Sequence, residues 1–86
     1  MIAVLDQALK ERHADRQTEL WRMTNGSREV TCAAVYTRVG PDLRLLEGGE
    51  MLRTELFQFG HALQARSRQW RQALERTGWH HAVMAP

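Results

Sequence analysis

The spacing of apolar residues changes from segment to segment along this chain, and each period predicts a different element. In IAVLDQALKERHADRQ, Ile2, Leu5, Ala8, Leu9 and Arg12 fall on one stripe at helical spacing, with no proline or glycine to interrupt them. A short amphipathic N-terminal helix over about residues 2–15 is expected. The period then drops to two. ELWRMTNGSREVTCAAVYTRVG is a pair of β-rich runs around Asn25-Gly26, a dipeptide that accepts the positive φ of a tight hairpin. Further turns are expected at Gly40-Pro41-Asp42 and at Gly48-Gly49. The result is four strands, near residues 19–24, 28–38, 43–47 and 50–57, joined as an antiparallel meander.

Two-residue loops at these turns fix an expected register. A loop at 25–26 sets Trp21 opposite Val30 and Met23 opposite Arg28. One at 40–41 sets Tyr36 opposite Leu45, and one at 48–49 sets Leu45 opposite Leu52. One apolar face is then expected, running from Trp21, Met23, Val30, Cys32, Ala34 and Tyr36 to Leu43, Leu45, Leu52, Thr54 and Leu56. The opposite face is mixed. It is expected to hold Leu20, an Arg22–Glu29 cross-strand pair, Arg44, Arg53 and Glu55, with Val35, Leu46 and Met51 as an apolar patch.

The period returns to helical from His61 to Thr77. Leu63, Ser67, Trp70 and Leu74 form a stripe suited to the apolar face of the sheet, flanked by Ala62, Ala65 and Ala73. Gly78 is placed to stop the helix in the left-handed conformation, with Trp79 folding back onto Leu74. The fold class expected is α+β. It is a four-stranded antiparallel meander with a long C-terminal helix on one face and a short N-terminal helix. One domain covers 1–86, divided into helix 1–17, sheet 18–57, helix 61–77 and tail 79–86.

Composition narrows the chemistry. A single cysteine rules out an intramolecular disulfide, so 86 residues must fold on a small core, and dimerisation is a common remedy at this size. The N-terminal stretch has neither a basic region nor a long apolar run, and no segment approaches the length of a membrane span. A cytoplasmic location with no membrane partner is expected. The net charge of +2 is concentrated late: residues 61–86 carry Arg66, Arg68, Arg71 and Arg76 against Glu75 alone.

No constellation for catalysis, cofactor binding or metal ligation emerges. His80-His81 are adjacent at the end of the chain, far in sequence from His13 and His61, and read as part of a free tail. Cys32 alternates into the core with no basic group beside it, and Gly48-Gly49 lacks the lysine and hydroxyl residue of a phosphate loop. A non-enzymatic interaction module is expected, homodimeric through the second sheet face and the N-terminal helix, with Val35, Leu46, Met51, Leu5 and Leu9 at the contact. Another protein could take the partner's place. The alternative is a regulatory single-stranded nucleic-acid binder, in which Arg22, Arg44 and Arg53 meet phosphates, Phe57 stacks, and Arg68 and Arg71 widen the field.

LRLLEGGEMLRTELFQFGHALQARSRQWRQALERTGW resembles small uncharacterised bacterial proteins in which a hairpin ending in RTELF precedes a helix carrying a Trp, an Ala-Leu pair and a closing Gly-Trp. The resemblance spans about residues 20–79 and implies a meander followed by a helix. In the order of its elements the chain also resembles the positive-cofactor-4 type of single-stranded-DNA-binding fold. That likeness implies a dimer.

Overall fold

The computed structural model describes residues 17–82, and the helix expected over 2–15 lies outside them. Strands β1 (Gln17–Asn25), β2 (Arg28–Thr37), β3 (Gly40–Glu47) and β4 (Glu50–Leu56) form the antiparallel meander, and helix α1 (Gly60–Arg76) follows. A two-residue strand, β5 (His80–His81), completes a sheet ordered β4-β3-β2-β1-β5. The architecture is α+β with the helix packed across one face.

The turns fall near their expected places, but two of them are offset. Asn25 pairs with Arg28, so the first loop is Gly26-Ser27, and Trp21 opposes Cys32 while Met23 opposes Val30. The second loop is Arg38-Val39, and Tyr36 opposes Pro41 instead of Leu45. Gly40 serves a close approach in place of a turn. Its φ is 136°, and a Cβ there would lie 2.2 Å from the carbonyl oxygen of Phe57. Both offsets move the pairing by an even number of residues, so side chains keep their faces through these turns.

Two bulges do change faces. Leu20 is an extra residue between the Glu19–Ala33 and Trp21–Cys32 pairs, and it packs against the core instead of on the outer face. Leu52 is extra between the Leu46–Met51 and Leu45–Arg53 pairs. Beyond it Arg53 and Glu55 turn to the helix side, while Thr54 and Leu56 turn away from it, the reverse of expectation. The Arg53 guanidinium sits 4.9 Å from the centroid of the Trp70 ring, and Glu55 meets Arg66 of α1 at 3.3 Å. Tyr36, expected in the core, is 52% exposed at the far end of β2.

Helix α1 buries Leu63, Ser67 and Trp70 against the sheet, the stripe its sequence predicts. One core cluster joins Cys32, Ala34, Leu43, Leu63 and Trp70, with Leu20, Trp21, Leu45 and Phe57 packed around it. A second joins Met23, Val30 and Trp79, with Leu74 alongside. The helix ends as expected. Gly78 (φ 94°) donates to Glu75 O at 3.2 Å and Trp79 to Leu74 O at 3.1 Å, the paired bonds of a Schellman motif. Trp79 thereby enters the second cluster, and the chain leaves along the edge of β1. There His80 pairs with Thr24 and His81 with Met23, so these histidines form a strand where a free tail was expected.

Candidate interaction surface

The face turned away from α1 is where the sequence placed a contact. Val35 and Leu46 were expected to be cross-strand neighbours. In the observed register Val35 opposes Asp42 and Leu46 opposes Thr31. Four residues of strand therefore separate Val35 from Leu46, a distance of about 13 Å. Val35 is also 6% exposed and Ala33 beside it is fully buried. The expected three-residue patch is thus divided. Leu46 and Met51 remain opposed at one end, and Val35 lies at the other, beside the Asp42–Leu56 pair. Leu5 and Leu9, the remaining expected contact residues, lie outside the described residues.

Between the two ends sits a polar knot. Arg44 Nε donates to Asp42 Oδ2 at 2.9 Å, and Thr54 Oγ1 donates to Asp42 Oδ1 at 2.7 Å. The sequence places Asp42 in the Gly40-Pro41-Asp42 turn, whereas in the fold it lies within β3. Its carboxylate ties β3 to β4 on the outer face, because Thr54 reaches that face only after the Leu52 bulge.

Of the large apolar side chains left in solvent among the described residues, Tyr36, Val39 and Phe59 lie outside β4 and three lie along it. Met51 is 45%, Leu52 47% and Leu56 53% exposed. β4 is also the end strand of the sheet. An edge strand that exposes apolar side chains beside unpaired backbone groups is a template for another strand. Leu52, Thr54 and Leu56 were missed as surface residues because regular alternation assigns them to the core.

The residues proposed to contact nucleic acid are not brought onto one surface. Arg22 and Arg44 face outward as expected. Arg22 meets Glu19 at 2.6 Å and Glu29 at 3.5 Å, so the expected Arg22–Glu29 pair forms, though diagonally. Arg53 lies on the other face over Trp70, and Phe57, the expected stacking platform, packs against the core. Arg68 is exposed on α1. Arg71 Nε is 3.5 Å from Glu75 without a hydrogen-bond geometry, and His81 Nε2 is 3.4 Å from the same carboxylate.

Two further features bear on chemistry. Cys32 is fully buried, and burial pushes its thiol up to about 11 against the opposing effect of Ser67, whose Oγ is 4.0 Å away. Such a thiol stays protonated, which suits a packing role. Ser67 is in turn the acceptor for Trp21 Nε1 at 2.8 Å. At the hairpin tips a depression of about 420 Å³ is lined by Arg28, Glu29, Glu47 and the Gly48-Gly49 turn. Arg28 donates to both oxygens of Glu47 at 2.8 Å, which lowers the Glu47 pKa, and its guanidinium lies 5.2 Å from the Trp79 ring centroid. Among the described residues no group of His, Cys, Asp and Glu is arranged to hold a metal ion, and no helix is long and apolar enough to cross a membrane.

Comparison with known protein families, curated proteins and solved structures finds no match to this chain.

Proposed function

We propose that this chain is a non-enzymatic interaction module that works as a homodimer, with its contact on the β3–β4 side of the sheet. The observation that carries this reading is that one edge strand exposes three large apolar side chains, Met51, Leu52 and Leu56. Scattered apolar residues on a surface need no explanation, whereas a cluster beside an open strand edge marks a contact. The 16 residues before β1 lead into Gln17, which pairs with Val35. Their stripe of Ile2, Leu5, Ala8 and Leu9 is marginal as an isolated helix and gains by docking on the outer face of its own or a partner's sheet.

Sedimentation equilibrium of the full chain tests the reading. A mass near twice 10.0 kDa at micromolar concentration is the expected result. Deleting residues 1–14 should shift the protein toward monomer or aggregate. A strict monomer at all accessible concentrations overturns the proposal. Unchanged association and melting after the deletion removes the N-terminal segment from it.

A further inference from the structure

We infer that two copies of this chain pair antiparallel through β4, about a two-fold axis at Thr54, and join their sheets into one. This rests on the interaction-module reading and adds the strand and the register that make the contact.

The backbone sets the first condition. β4 bonds β3 on one side and has no strand on the other among the described residues. Phe57 donates its backbone N–H to Pro41 O at 2.9 Å. Antiparallel ladders alternate, so counting back in twos turns the backbone groups of Glu55 and Arg53 toward β3. Those of Thr54 and Leu56 then point outward. An outward N–H and C=O on the same residue is what an added antiparallel strand takes up.

Side chains set the second. Opposed residues in a regular pair share a face, so a two-fold axis must pass through a residue and not between two. An axis at Arg53 or Glu55 would oppose like charges at closest approach, which is unfavourable. One at Leu56 would set Glu55 against Phe57 and Thr54 against Gln58, running off the end of the strand. An axis at Thr54 opposes Thr54 with itself, Leu56 with Leu52 twice, and Arg53 with Glu55 twice. Both charges lie on the helix side, where the closely spaced non-hydrogen-bonded pairs bring them together. Charged residues and a bulge usually protect an edge from pairing. Here the order of charges about Thr54 is complementary to itself, and the bulge at Leu52 limits the pairing to this stretch. The two leucines, 47% and 53% exposed, become each other's cover.

Two experiments on the full chain decide it. In the first, Thr54→Cys is oxidised under mild conditions. Opposed residues in an antiparallel pair have Cα atoms about 5.5 Å apart, within disulfide reach, and the native Cys32 is fully buried. A dimer crosslinked through the two introduced thiols is expected. If sedimentation shows a dimer and no crosslink forms, this register is overturned and the module reading stands. If the chain is monomeric, both fall. The second experiment does not depend on Thr54, whose hydroxyl also serves Asp42. Arg53→Glu and Glu55→Arg should each weaken dimerisation about tenfold or more, since each replaces two attractive pairs by two repulsive ones. The combined exchange should return the dissociation constant to within about threefold of the parent. A double variant no tighter than either single one contradicts the register.

Discussion

Trp70 joins the helix to the sheet and is the side chain whose replacement reads the packing most directly. It is 7% exposed, contacts the cluster of Cys32, Ala34, Leu43 and Leu63, and carries the Arg53 guanidinium over its ring. Its Nε1 is buried and, among the described residues, has no hydrogen-bond partner. Truncating a buried Trp to Ala costs about 3–5 kcal/mol, and losing the cation–π contact adds about 0.5–1 kcal/mol. A domain of this length has only about 4–13 kcal/mol of stability in all. Trp70→Ala should therefore lower Tm by about 15 °C or more or leave the chain unfolded. Trp70→Phe separates the contributions. It keeps an aromatic face under Arg53 and removes the unpartnered N–H, whose burial costs about 1–3 kcal/mol, while the smaller ring leaves a cavity of similar cost. The two offset, and Trp70→Phe should stay within about 1.5 kcal/mol of the parent. Urea unfolding followed by far-ultraviolet circular dichroism measures both, since it does not depend on the lost fluorophore. Equal destabilisation by the two substitutions would show that the indole N–H is satisfied. A Trp70→Ala protein with the parent's melting temperature would refute the packing itself.

Three further outcomes are expected. Gly40→Ala should destabilise by about 2 kcal/mol or more in urea melts, because its Cβ would collide with Phe57 O and its φ of 136° disfavours any side chain. Cys32 should be unreactive toward a chromogenic disulfide at pH 8 until the chain is unfolded. Because its folded pKa is raised to about 11, the stability tied to it is complete below the ordinary thiol value of about 8.5 and is lost as pH rises toward 11, a loss that Cys32→Ala should lack. Glu47 titrates below the usual carboxylate range because Arg28 bonds its charged form, so its contribution is present above about pH 4.3 and lost as pH falls through the lowered value. Urea midpoints compared at pH 3 and pH 6 should fall less for Glu47→Gln than for the parent.

What the sequence disclosed and what it hid divide along physical lines. Helix α1, its buried stripe and its Schellman ending were legible because Leu63, Ser67, Trp70, Gly78 and Trp79 each meet a local requirement. The strands were legible from alternation, and their faces survived two misplaced turns because even offsets preserve parity. The bulges were hidden. Both sit at apolar doublets, Leu20-Trp21 and Met51-Leu52, where a regular strand would send one of the two into solvent. The doublet alone does not decide, since Leu45-Leu46 stays regular in β3 as far as its pairing with β2. Whether a strand bulges depends on what lies across the sheet and on the helix above it, which no local window contains. This is why Arg53 and Phe57 were assigned to the outer face and Leu56 to the core. The pairing of His80-His81 with β1 was hidden for a similar reason, because it follows from where Trp79 docks.

The most direct measurement of the β4 contact is amide hydrogen exchange of Thr54 and Leu56 across a range of protein concentration. These N–H groups point away from β3 and pair with nothing among the described residues, so in a single copy they should exchange at rates close to those of an unstructured chain. In the joined sheet they donate across the two-fold axis. Protection that grows with concentration at Thr54 and Leu56, in step with the dimer mass seen by sedimentation, is the expected result. The inward-turned amides of Arg53 and Glu55 should be protected throughout. Rapid exchange at Thr54 and Leu56 under conditions where the chain is dimeric would contradict pairing through this strand.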